Sequence, residues 1–212
     1  MAGRTPHEAL DAFATPIREA LGCFARGRVS YNATAPGDDG VLLFNDGGDV
    51  ILNGDGKVRL SINLNYRIVQ NRAADAHGKV WKVSATGWIY HVADSDCDVI
   101  ADFHWHPRAT PDVLIPHLHT PEKSPRRHFP TGRVLIEDVL HFCVECGASP
   151  YDADMWQQIH DRNIENFKLG ATWGSSFPRR PATTQERATA AAGRAKRALT
   201  GAGRRGRTSK PS

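Results

Sequence analysis

The chain has 212 residues, 40% hydrophobic and 24% charged, a balance that fits one folded domain with an appendage and excludes a low-complexity or fibrous chain. No apolar run approaches the roughly 18–20 residues of a membrane span, and Met1–Glu8 lacks the apolar stretch of a secretory signal, so the expectation is a cytoplasmic protein with no membrane partner. The net charge of +4 is unevenly spread: from Arg179 to Ser212 ten Lys or Arg face one acid, Glu186, a net +9 that leaves −5 on residues 1–178.

Residues 6–26 read as a helix. Leu10, Phe13, Ile17, Leu21 and Phe24 recur at spacings of three and four and form one apolar stripe. Pro16 is expected to kink or split this helix, and Gly27 to end it. Residues 36–57 alternate Gly-, Asp- and Asn-rich turns with the short apolar runs Val41–Phe44 and Val50–Leu52, a pattern of short strands and tight turns. Their spacing lacks the twelve-residue calcium-loop pattern and its terminal Glu.

Residues 57–70 carry the clearest strand signal. Val58, Leu60, Ile62, Leu64, Tyr66 and Ile68 alternate with polar residues, which gives one buried and one wet face. Val80–Val92 and Val99–His106 read as the next strands of an antiparallel meander, and Leu114–His119 as one more short strand. Pro107–Pro116 and Glu122–Pro130 read as loops, the second one basic. Arg133–Cys146 switches to helical period and stops at Gly147, and Asp152–Leu169 is a second helix.

These elements give an α+β fold: an antiparallel β-meander packed on one face by helices. The expected divisions are an N-terminal helix over 1–27, an α+β core over 28–172, and a disordered basic tail over 173–212. The tail is too poor in large apolar residues to pack, and its charge suits phosphate contacts that weaken with salt. Cys143 and Cys146 form a lone Cys-x-x-Cys in an apolar helix, with no second pair to complete a zinc site, so they read as thiols of the core or surface.

Five of the ten histidines fall within Asp102–His128. Asp102-Phe103-His104-Trp105-His106-Pro107 and Pro116-His117-Leu118-His119 hold two His-x-His pairs. On a strand, His104, His106 and Asp102 share one face and the aromatic Phe103 and Trp105 the other. The core belongs on the aromatic side, so the histidines are expected to face a cleft or solvent and to converge if the two segments are neighbours. Three readings follow. Paired imidazoles with Asp102 suit one divalent metal such as zinc. Without any cofactor, one imidazole can take the 2′-OH proton of RNA and another protonate the leaving oxygen, with a cation on the phosphate. Or the histidines merely solvate a strand.

From Tyr66 to Cys146, the order of a strand-rich half, "D-F-H-W-H-P", "P-H-L-H", a further His beside a proline and a helix opening "R-V-L-I-E-D-V-L" resembles the TumE-like family of toxin–antitoxin proteins. The resemblance covers roughly 80 of the 212 residues, and this chain adds an N-terminal helix, a turn-rich insert and the tail. It implies a short antiparallel sheet followed by a helix, a growth-inhibiting role and an antitoxin partner. It places the site on His104, His106, His117 and His119, with His128 and Arg133. The expected function is then a metal-independent ribonuclease. His104 or His106 pairs with His117 or His119 as base and acid, Arg133 binds phosphate, and Lys123, Arg126, Arg127 and His128 hold RNA. The alternatives are a His-ligated metalloprotein and a non-enzymatic nucleic-acid-binding or interaction protein.

Overall fold

Period two in the sequence becomes strand, and period 3.6 becomes helix on one side of the sheet. The computed structural model describes residues 2–72, 78–107, 115–121 and 129–170. Nine strands are seen there: β1 (Ala2–Gly3), β2 (Val29–Tyr31), β3 (Asp39–Phe44), β4 (Val50–Ile51), β5 (Arg59–Gln70), β6 (Trp81–Ala93), β7 (Val99–Trp105), β8 (His117–His119) and β9 (Phe129–Pro130). Three α-helices accompany them: α1 (Pro6–Gly22), α2 (Ile136–Glu145) and α3 (Ala153–Gly170). The sheet is antiparallel, in the order β2-β3-β5-β6-β7-β8-β9, with β1 paired to β6 and β4 to β5. The α+β meander expected from the sequence is the fold observed. Among the described residues no helix is long and apolar enough to cross a membrane.

Alternation decides which face of the sheet is dry. On β5 the buried residues are Leu60, Ile62, Leu64, Tyr66 and Ile68; on β6 they include Trp88, Tyr90 and Val92; on β7 they are Ala101 and Phe103. All three helices cover this face. Phe13 of α1 meets Tyr66 at 6.3 Å between ring centroids, and Phe142 of α2 meets Phe103 at 5.5 Å. The long β5–β6 pair runs from Arg59↔Ala93 to Gln70↔Trp81, with Thr86 as the extra residue of a bulge. Without that bulge, Trp88 and Ala85 would present opposite faces, because one residue of slip inverts every side chain.

Helix boundaries follow local chemistry. Thr5 Oγ1 accepts the Glu8 amide at 3.1 Å, and Pro6 takes a first-turn position where no amide donor is needed. Of the kink or split expected at Pro16, the split does not occur: α1 is one 17-residue helix through it. The Pro16 carbonyl instead accepts Asn163 Nδ2 of α3 at 3.1 Å. The helix ends at Gly22, short of the expected residue 26, because Phe24 leaves the spiral and packs edge-on against Trp156, with centroids 4.9 Å apart. The loop expected over Glu122–Pro130 also ends differently, since Phe129 pairs with Leu118 and Pro130 with His117 as β9. The tail from residue 173 lies outside the described residues.

The turn after β4 docks on the end of α2 by backbone contact. Gly54 has φ of +120°, and a Cβ there would stand 2.6 Å from the Gly147 carbonyl oxygen. Gly147, with φ of +97°, stops α2 in the left-handed region that glycine favours. The contact is fastened by the Ser149 amide to Asn53 O at 2.7 Å and Asn53 Nδ2 to Ser149 O at 2.8 Å.

Under the helices lies one buried acid. Glu137 is only 5% exposed and accepts Asn163 Nδ2 at 2.8 Å. Burial raises its pKa, partly offset by that hydrogen bond. A raised carboxyl pKa means the folded state holds its proton longer than the unfolded chain, so this group's stabilising contribution is lost as pH rises. Glu137→Gln keeps the acceptor and removes the charge. Its melting temperature is expected to match the parent's near pH 4 and exceed it at pH 7. A variant less stable than the parent at both pH values would contradict this.

Candidate metal centre

The site is built by strand register. His104 stands opposite His117, and Asp102 opposite His119, across the β7–β8 pair. On the other side of β7, Asp102 stands opposite His91 of β6, and His104 opposite Ile89. The polar face therefore carries one row His91–Asp102–His119 and a second row Ile89–His104–His117. His106 follows just beyond β7. This is the face away from the helices, since Trp88, Tyr90 and Phe103 point the other way into the core.

Four imidazoles meet there. Ring centroids are 5.6 Å apart for His104 and His117, 5.9 Å for His104 and His106, and 5.2 Å for His106 and His117. His119 lies 4.7 Å from His104 and 4.9 Å from His117. One nitrogen from each of His104, His106 and His117 falls within 4.8 Å of the other two. Nitrogens around a tetrahedral zinc, bonded at about 2.0–2.1 Å, stand about 3.3–3.4 Å apart, so an ion would have to draw these nitrogens closer together than the 4.8 Å within which they lie.

The face is less open than the sequence suggests. His117 is 1% exposed and His119 6%, while His104 and His106 are half-buried. The imidazoles pack on one another, and Pro130 of β9 pairs beside His117. Desolvation comes first in lowering the His104 pKa to about 4, with the neighbouring histidines adding to it and Asp102 opposing. His104 is therefore neutral at physiological pH, with a lone pair to offer. His117 Nδ1 lies 2.9 Å from the Ile115 carbonyl oxygen, which can only accept. Assigning the proton to Nδ1 leaves Nε2 as the lone-pair nitrogen, and a backbone hydrogen bond of this kind orients a ligating imidazole. His106 Nδ1 is buried with no hydrogen-bond partner among the described residues.

A pH dependence follows for the metal-free protein. Unfolded, His104 takes a proton near its ordinary 6.5; folded, only near 4. Between these values the unfolded state binds more protons, so the His104 contribution is complete above pH 6.5 and lost as pH falls towards 4. Melting temperatures of the parent and His104→Asn, measured from pH 7 to 4 in chelator, should diverge at the acid end, with the parent losing more. Parallel curves would contradict the depressed imidazole.

Other candidates fall elsewhere. Asp102 shares the face, but its carboxylate is engaged by His91 Nδ1 at 2.5 Å. It stands beside the three-nitrogen cluster, outside it. His91 is the residue the sequence reading missed. It sits alone in β6 with no His-x-His spacing, and only the strand register brings it to Asp102. Arg133, expected as the phosphate ligand, lies on the opposite face. Its guanidinium sits 4.6 Å above the Phe167 ring and beside Tyr90, a core-facing residue. The cause is topological: residues 131–135 lead into α2, which packs on the helix-covered side, and the Arg133 stem is drawn among aromatic rings. Lys123, Arg126, Arg127 and His128 lie outside the described residues.

Cys23, Cys97, Cys143 and Cys146 are free thiols. Burial pushes the Cys143 thiol up to about 12 and raises that of Cys146, which favours protonated sulfur over the thiolate a metal needs.

Comparison with known proteins adds no family: no protein-family model, no curated protein and no solved structure matches this chain.

Proposed function

We propose that the protein is a metalloprotein in which His104, His106 and His117 bind one divalent ion, zinc foremost, at the open-face end of the β7–β8 pair. The observation that carries this reading is the convergence of three imidazole nitrogens within 4.8 Å. The low His104 pKa and the Ile115-anchored His117 ring support it, because both favour neutral, pre-aimed ligands. Three protein nitrogens on a tetrahedral ion leave one position for water, the pattern of hydrolytic rather than structural zinc. The chemistry such an ion supplies is a water activated near neutral pH. His119 is the protein's own competitor for that position, since its ring borders both His104 and His117.

A second reading keeps RNA as substrate, in the cytoplasm and with an antitoxin as partner, and uses acid–base histidines without metal. What favours it is the His91–Asp102 pair, a carboxylate-oriented imidazole in the next row. Against it, His104 is unsuited to be a general acid at pH 7, and Arg133 is on the other face.

The two separate by metal analysis and chelation. Protein purified without chelator is expected to hold about one equivalent of zinc, iron or manganese, removed by EDTA. RNA cleavage that persists in EDTA, by protein without metal, would favour the second reading and sink the first.

A further inference from the structure

The helix-covered side of the sheet holds a cavity of about 80 Å³ that opens to the surface. Its walls include Phe13, Ile17, Leu64, Trp88, Tyr90 and Phe167, and its polar lining is Arg133, Glu137 and Asn163. It lies across the sheet from the histidines, because Leu64, Trp88 and Tyr90 belong to the core-facing set.

Asn163 makes this more than a packing gap. It is 3% exposed, and its Nδ2 donates both hydrogens, to Pro16 O at 3.1 Å and Glu137 Oε1 at 2.8 Å. Those two acceptors fix the amide orientation, since a flipped amide would set Oδ1 against two oxygens. Asn163 Oδ1 is then a buried acceptor that takes no hydrogen bond among the described residues. Native interiors rarely leave such a group unsatisfied without a water, an ion or a ligand.

We propose that this cavity binds a small neutral aromatic molecule with one hydrogen-bond donor, of the phenol class, whose O–H is accepted by Asn163 Oδ1. Aromatic walls favour a planar ring. Charge of either sign gains nothing, because Arg133 and Glu137 flank the cavity with opposite charges. The volume is smaller than the roughly 150 Å³ dry cavity that encloses benzene, so the ring enters through the mouth and projects in part. The site is independent of the metal proposal, and either can fail alone.

The test uses the full chain, with phenol and benzene as probes in the millimolar range. In amide nitrogen–proton NMR spectra, phenol should shift resonances of Phe13, Ile17, Asn163 and Phe167 in a saturable way, and benzene should bind about tenfold or more weakly, the value of one hydrogen bond. Ala85 also lines the cavity, so Ala85→Leu should abolish phenol binding while leaving metal content unchanged. Asn163→Leu, if it folds, should bind the two probes alike. No saturable phenol shifts in the folded parent would overturn the proposal and leave Asn163 Oδ1 to a water. Equal affinity for phenol and benzene in the parent, or phenol binding undiminished in Ala85→Leu, would overturn it too.

Discussion

His104→Ala combined with His117→Ala should lower affinity for zinc by more than about a hundredfold while the fold persists. Loss of a hydrogen-bond partner behind a ligand costs metal sites about 10–100-fold, and this variant removes two of the three converging nitrogens. The fold should survive because neither side chain belongs to the aromatic core under the helices, though emptying the buried His117 position should lower the melting temperature. His160→Ala is the matched control, since that imidazole stands on α3 beside His141 and Trp156. Metal content by mass spectrometry, with circular dichroism for folding, decides the matter. A folded double variant that still holds one equivalent of zinc would remove these histidines from the site.

The second large effect concerns the other face. Trp88→Ala should cost about 3–5 kcal/mol, the usual range for emptying a large buried aromatic position. Trp88 is 2% exposed, with its ring 4.5 Å from Trp105 and 6.4 Å from Tyr90. Domains of this size have total stabilities of about 5–15 kcal/mol, so the variant should melt lower by on the order of 10 °C or more. Metal binding should persist at temperatures where it remains folded, because the histidines face away. A loss under about 1 kcal/mol in urea unfolding would show that the core is not centred on this face.

The strand that carries the architecture was legible because its chemistry is redundant. Leu60, Ile62, Leu64, Tyr66 and Ile68 repeat one message five times, and the structure buries all five. The histidine cluster was legible for the same reason. His-x-His fixes a shared face within each strand whatever the partner, so convergence needed only that β7 and β8 pair, as they do. What spacing cannot encode is the register between strands. His91 reaches Asp102 through β6–β7 pairing that no local pattern announces. Arg133 lies apart from the histidines because sequence proximity to them says nothing of which side of the sheet a connection crosses to. The depth of His117 escaped for a related reason: alternation gives a direction, while burial depends on what neighbouring segments lay against the ring. Pro16 reads as a kink or a split because its lost amide bond is visible in sequence, while the packing that carries α1 through it is not.

X-ray absorption at the zinc edge of the zinc-loaded protein tests the central claim most directly. Zinc–nitrogen and zinc–sulfur bonds differ, at about 2.0–2.1 Å against about 2.3 Å. Three histidine nitrogens at the shorter distance, with the imidazole outer-shell pattern and one further light atom, are predicted. A spectrum dominated by sulfur would move the ion to the cysteines, and a spectrum of hydrated zinc alone would mean that His104, His106 and His117 hold no metal.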